Sequence, residues 1–272
     1  MKNKTHSPAL PVLLSVLLFV LVTGCATAPS HRKYRPVVSK FSDLLVRFPQ
    51  TDEPLQLEHL TRASVYPSLR KNQPIDVTIM VHPAYSIFLR DLTNEQYPEV
   101  KYSLLRKQFD HEAQFILDQA NAGKIIILIV PGKYLTASAY AQNYTAYLNS
   151  MISPSHSAYY IYSDSPNSGN ISSEEMITLY RFLQGLNVRK VLVGGGYVGR
   201  CQREFYTQLT TYFDTSQAFI VPEISTISPE DISEKDAKRI LNSLDKQDYS
   251  QVRDFIDNRV GSKANILSIP PE

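Results

Sequence analysis

Lys124 to Val130 reads Lys-Ile-Ile-Ile-Leu-Ile-Val, and this unbroken aliphatic run constrains the fold more than any other stretch. A strand with one wet face alternates apolar and polar residues, whereas one covered on both faces does not. The run is therefore read as an inner strand of a parallel sheet, stopped by Pro131 and Gly132. Four further β-type runs are predicted around it: Ile75 to Val81, Ser157 to Ser163, Lys190 to Gly194 and Gln217 to Val221. The first ends at His82-Pro83, because the residue before proline is driven to extended geometry and proline donates nothing to a ladder.

Helical patterns separate these runs. Val100 to Ala122 places Leu105, Phe109, Ala113, Ile116 and Ala120 on one face, and a tyrosine-rich helix is expected from about Ala137 to Ile152. Ser172 with Glu175 has capping-box spacing for a helix ending near Gly185. Gly199 to Phe213 forms the next helix, Ser228 and Pro229 start another, and Tyr249, Val252, Ile256 and Val260 line a last one that stops at Gly261. Alternation at this spacing predicts an α/β three-layer sandwich of about five mostly parallel strands with helices on both faces. A proline-broken helical preamble is expected over residues 37–74, with Phe41, Leu44, Leu45 and Phe48 on one stripe and Leu57 and Leu60 on another. The α/β domain then occupies residues 75–272.

The N-terminus has its own chemistry. Lys2 and Lys4 precede an apolar stretch from Leu10 to Val22 that is too short for a spanning helix, which needs ~20 apolar residues, but suits a signal-peptide core. Val22-Thr23-Gly24-Cys25 follows and resembles the lipobox of bacterial lipoproteins. That resemblance implies cleavage after Gly24, a signal peptide over residues 1–24, acylation of Cys25 with palmitate-type chains and a tether over residues 25–36. At roughly 0.8 kcal/mol per buried methylene, two or three chains make a near-permanent membrane anchor. Ala26 stands where an aspartate would signal inner-membrane retention, so the resemblance favours the outer membrane if the host is Gram-negative.

Charge and cysteine content exclude several classes. The chain carries 28 basic and 26 acidic side chains, and loss of Lys2 and Lys4 with the signal leaves 26 of each. That balance argues against a nucleic-acid partner; the one basic cluster, His31, Arg32, Lys33 and Arg35, lies beside the anchor and is read as a solvated tether or a headgroup contact. With Cys25 acylated, Cys201 has no intramolecular partner, so roughly 235 residues must fold by burying apolar surface. There is no His-Glu-x-x-His, no paired cysteine, no Gly-x-Ser-x-Gly and no Walker loop, so no metal site is expected. Seventeen tyrosines without a tryptophan offer stacking surface, but at helical spacing they read as core edges.

Ligands of parallel sheets sit beyond the carboxyl ends of the strands. The candidates there are His82, Lys133, Asp164, the segment from Gly194 to Cys201 and Glu223. Gly194, Gly196 and Gly199 fit Gly-x-Gly-x-x-Gly between a strand and a helix, with Glu223 following, as in a dinucleotide site. The motif follows the fourth strand rather than the first, and an exported protein meets little nicotinamide cofactor, so no cofactor is expected.

Residues 172–228 also resemble the C-terminal half of isochorismatase-like cysteine hydrolases, carried by Gly185, Val191 to Gly196, Cys201 opening a helix, and Ile220 to Glu223. The resemblance implies Cys201 as nucleophile with helix N-terminal amides as oxyanion donors. It departs elsewhere. The family aspartate after the first strand is replaced by His82, and where the family lysine is expected the chain has Tyr159 and Tyr160. Cys201, Phe205, Leu209 and Phe213 recur every four residues, so the thiol also reads as core.

Two functions follow. In the preferred one, an envelope lipoprotein binds a small molecule or protein partner through the strand-end loops, with Asp164, Gly195, Gly196, Gly199 and Glu223 as contacts. In the other, a degenerate hydrolase of a small amide or ester uses Cys201 with His82 as base.

Overall fold

The computed structural model describes residues 47–48, 54–60, 74–84, 87–88, 97–131, 141–152, 157–165, 167–261 and 264–269, all within the unit Tyr34–Glu272. Cys25, the tether and Lys133 lie outside the described residues. The elements in chain order are β1 (Glu58–His59), β2 (Ile75–Val81), α1 (Glu99–Asn121), β3 (Ile125–Val130), α2 (Ala141–Ile152), β4 (Ala158–Tyr162), α3 (Ser173–Gly185), β5 (Val188–Tyr197), α4 (Cys201–Tyr212), β6 (Ala218–Thr226), α5 (Glu234–Leu244) and α6 (Ser250–Val260).

The strands form one sheet in the order β1-β4-β3-β2-β5-β6, and every paired neighbour is parallel. Helices α1 and α2 pack together on one face, with α5 against α1, and α3 and α4 cover the other. The three-layer α/β sandwich expected from the alternation is thus the observed architecture. All six residues of β3 are buried, as the aliphatic run requires. On the α1–α2 side the filling is aromatic: Phe88 stacks on Tyr147 at 5.0 Å between ring centroids, and Phe48, Phe109 and Tyr144 surround them. Tyr144 and Tyr147 are fully buried, so the tyrosines of α2 are core rather than a stacking surface.

Both sheet edges are managed. Glu58 and His59, expected within a helical preamble, instead pair with Tyr159 and Tyr160 as a two-residue edge strand. At the other edge Ile220 donates its N–H to Asn265 O and accepts from the Leu267 N–H, so the segment 264–269 covers β6. An unpaired edge would otherwise be a template for association.

Four boundaries differ from the sequence reading. Gly195 and Gly196 belong to β5, which runs past the predicted end at Gly194, and the helix after them starts at Cys201 rather than Gly199. Met80 and Val81 pair with Gly194 and Gly195, and a Cβ on Gly195 would lie 2.4 Å from Val81 O. The glycines serve close strand approach rather than a phosphate-cradling turn, and local turn propensity yields to that pairing. Strand β6 runs to Thr226, which places Glu223 inside it rather than beyond its end. Ser228 and Pro229 begin a single 3-10 turn, and Ser233 caps the helix that follows by accepting from Asp236 N. The capping box at Ser172 and Glu175 forms as spaced.

Candidate functional site

The chain leaves β2 for β3 and β4 on one side and returns to β5 on the other. The sheet therefore reverses direction between β2 and β5, and the carboxyl ends of those two strands flank the crevice such a reversal creates. His82 ends β2, and Gly195, Gly196 and Cys201 lie at the end of β5 and the start of α4.

The backbone after β2 is held in an unusual shape. His82 has φ 47° and Ala84 has φ 52°, a region that non-glycine residues seldom occupy. Such strain persists only where the surroundings over-determine it. Here His82 N donates to Ile129 O, Tyr144 Oη donates to Pro83 O at 2.7 Å, and Ala84 N donates to Glu112 Oε1 at 2.7 Å. Glu112 is a carboxyl on the inward face of α1, and its Oε2 accepts from Thr226 Oγ1 at 3.2 Å. Burial pushes its pKa up to about 8, against the lowering effect of those two donors. One helix turn earlier Gln108 spans to Ser225 O and the Ile227 N–H, so α1 clamps the ends of both β2 and β6.

His82 is 1 % exposed, and its Nε2 lies 2.8 Å from Ser163 Oγ at the end of β4. The Ser163 hydroxyl donates to Ser165 O at 3.0 Å, so its lone pair receives the His82 Nε2–H and the imidazole keeps its basic lone pair on Nδ1. Burial lowers the pKa of the ring to about 3.

Cys201 is the first residue of α4 and is 8 % exposed. A Cβ built on Gly196 would lie 2.7 Å from Cys201 Sγ and 3.6 Å from His82 Cβ, so the thiol and the first side-chain carbon of His82 flank the same glycine. Burial raises the thiol pKa to about 11. The backbone amides of Tyr197, Gln202 and Cys201 oppose that rise but do not overcome it. A helix N-terminus lowers a thiol pKa only while water or charge supports the thiolate; in a sealed position desolvation wins. Gln202, wholly buried, donates to Gly195 O at 3.2 Å and Ser225 Oγ at 2.8 Å, tying α4 to the ends of β5 and β6. Arg200 pairs with Asp231 through two nitrogens and with Glu230 through a third, which keeps the guanidinium charged.

The remaining candidates fall elsewhere. Asp164 is exposed and closes its loop through a backbone bond to Asn170 O; it is its neighbour Ser163 that reaches His82. Gly199 has φ 78° and faces Arg259 of α6. Glu223 lines a separate cavity beside α1 and α6. Ser163, Glu112 and Gln202 were not singled out in the sequence, although Glu112 carried a signal: a carboxyl between Phe109, Ala113 and Ile116 on an apolar stripe. Among the described residues no group of three His, Cys, Asp or Glu side chains is arranged to hold a metal ion.

The molecule is thus a parallel α/β protein whose strand-end crevice brings a buried histidine, serine and cysteine together. No family model matches the chain, and no curated protein matches it. Among solved structures it is similar to the pyrazinamidase of Pyrococcus horikoshii in complex with zinc, at 17% identity over 62% of this chain and 96% of that one, with a TM-score of 0.35. It is also similar to the YcaC gene product of Escherichia coli, an octameric hydrolase of unknown specificity, at 12% identity over 80% of each chain and a TM-score of 0.35. Overlaps at that level assign no activity to this chain.

Proposed function

We propose that this chain is a lipid-anchored envelope protein whose α/β domain binds a small molecule or a protein partner at the strand-end crevice without catalysing its turnover. The observation that carries the second half is the state of the cysteine–histidine pair. With burial raising its pKa to about 11, the Cys201 thiol is held in its neutral form at pH 7. His82, whose pKa is lowered to about 3, is a weak acceptor for the thiol proton, and its Nε2 is committed to Ser163. A cysteine nucleophile needs the opposite: a depressed pKa or a competent adjacent base.

A second reading, hydrolysis of a small amide or ester, is favoured by one observation: Cys201 and His82 flank Gly196 at a helix N-terminus. Alkylation separates the two. Titrating the protein with iodoacetamide from pH 5 to 9 is expected to leave Cys201 unmodified until denaturant is added. Fast alkylation near pH 6 that slows in His82→Ala would establish the hydrolase reading instead.

The anchor rests on Lys2, Lys4, the Leu10 to Val22 stretch and the Val22-Thr23-Gly24-Cys25 motif. It implies attachment through lipid on Cys25, in the outer membrane if the host is Gram-negative, with no nucleic-acid partner. Cys25→Ala is expected to abolish labelling by an alkyne fatty acid; undiminished labelling would refute the anchor.

A further inference from the structure

The segment 264–269, which lies along β6, is fastened unevenly. Asn265 anchors it: its O accepts from Ile220 N at 2.8 Å, its N–H donates to Tyr206 Oη at 3.1 Å, and its side-chain amide donates to Thr215 O. Tyr206 Oη donates onward to Ala218 O at 3.1 Å, so the anchor reaches both α4 and β6. Beyond Asn265, two hydrogen bonds hold the segment among the described residues: Leu267 N to Ile220 O at 3.1 Å and Ile269 N to Glu223 Oε1 at 3.0 Å. Ile220 and Ile266 form an isolated bridge, and Pro222, two residues further along β6 than Ile220, has no N–H with which to lengthen a ladder. Ile266, Leu267 and Ile269 are only partly buried against the core, and Ser268 is exposed. Few buried apolar contacts and exposed main-chain bonds are the marks of a segment that opens locally at low cost.

Closure has a cost at Glu223. Ile269 N occupies Oε1, while Oε2 is shut from solvent and has no hydrogen-bond partner. A buried polar atom left unmade is destabilising, and more so when it carries charge. Burial accordingly pushes the carboxyl above its ordinary range, with the amides of Glu223 and Ile269 opposing. The ionisable groups around it are Tyr249 from the start of α6, His111 and Asp118 from α1, and Lys124 just before β3, all of which line the same cavity of about 330 Å³. Ile269 lines that cavity too, so one residue is both the far end of the segment and part of the cavity wall. Water reaching the carboxyl would let it ionise in its usual range, and that relief favours the lifted segment near pH 7.

We propose that residues 266–269 form a strap that lifts from β6 about Asn265 while the rest of the domain stays folded, and that lifting it joins the Glu223 carboxyl to the neighbouring cavity. The strap involves neither Cys201 nor His82, so it stands whichever reading of the strand-end crevice holds. Native-state amide hydrogen exchange at pH 7, in a series of urea concentrations below the unfolding transition, tests it. After correction for intrinsic rates, Leu267 and Ile269 are expected to exchange at least about a hundredfold faster than Val193 in the middle of β5, through an opening that urea does not promote. Ile220, whose N–H goes to the anchored Asn265 O, should follow Val193 instead. Glu223→Gln keeps an oxygen for Ile269 N but cannot ionise when the strap lifts. It should slow exchange at Leu267 and Ile269 at least about threefold and leave Ile220 unchanged, whereas a plain latch, weakened by the loss of charge, would exchange faster. Exchange of Leu267 and Ile269 with the urea dependence of Val193, or rates that Glu223→Gln raises or leaves alone, would overturn the proposal. If Glu223→Gln does not fold, the urea dependence on the unaltered protein decides it alone.

Discussion

Replacing Glu112 by glutamine should make the protein more stable at high pH and leave its low-pH stability nearly unchanged. The carboxyl is 1 % exposed, and its pKa rises from 4.5 to about 8 because burial penalises the anion more than the Ala84 and Thr226 bonds support it. The sign follows from proton counting. Between pH 4.5 and 8 the folded protein keeps a proton that the unfolded chain has released, so folding stability falls as pH rises through that window. At roughly 1.4 kcal/mol for each tenfold change in proton affinity, the full loss is about 5 kcal/mol, of which about 3 to 4 kcal/mol accrues between pH 5 and 8. Glutamine copies the protonated acid: its oxygen keeps the Ala84 N–H and its amide faces the Thr226 hydroxyl. His82, His111 and Asp110 also titrate with shifted pKa values, but they do so in both proteins and cancel in the difference. Urea unfolding at pH 5, 6, 7 and 8, followed by far-UV circular dichroism, measures that difference. Glu112→Gln should gain steadily on the unaltered protein across the series. A difference that stays constant within about 1 kcal/mol would show that Glu112 is ionised in the fold and that the argument from burial fails.

Three further outcomes are expected. Gly195→Ala should destabilise by at least about 3 kcal/mol or prevent folding, because φ is 78° there and the new Cβ would meet Val81 O at 2.4 Å; a soluble variant with an unchanged urea midpoint would contradict the strand pairing described. Ser163→Ala leaves the buried His82 Nε2–H without its acceptor and should cost about 1 to 3 kcal/mol by urea unfolding at pH 7, with no loss pointing to a different tautomer. Ser172→Ala removes the hydroxyl that accepts from Glu175 N, leaving the Glu175 carboxylate on the residue-172 N–H, and should cost about 1 kcal/mol, seen as a fall of about 2 to 4 °C in Tm; an unchanged Tm would mean that the remaining bond and packing hold the start of α3.

Local patterns carried most of the fold. Aliphatic runs without alternation marked β3 as doubly covered, the Ser172 and Glu175 spacing marked a helix start, and Gly261 marked a stop, each because the physics acts within a few residues of chain. The position of His82 at a strand end was legible for the same reason: proline at 83 stops a ladder wherever the strand lies. What neighbours a residue is a different matter. Gly195 reads locally as part of a turn, yet it pairs with Val81 across more than a hundred residues of chain, and no local propensity reports that. Ser163 became a partner of His82 only because β3 stands between β2 and β4 and brings their ends level. That Cys201 lies in the first turn of a helix was legible in the sequence, but the sign of its pKa shift depended on how completely other elements sealed it. Glu223 moved from a presumed loop into β6 and toward a cavity because the C-terminal segment adds alongside that strand. From Ile75 onward the sequence alone determined the order of strands and helices and which faces are apolar, since periodicity is a property of neighbouring residues. Only the tertiary structure decided which polar groups lost water and which found partners, since desolvation is set by everything that packs around them.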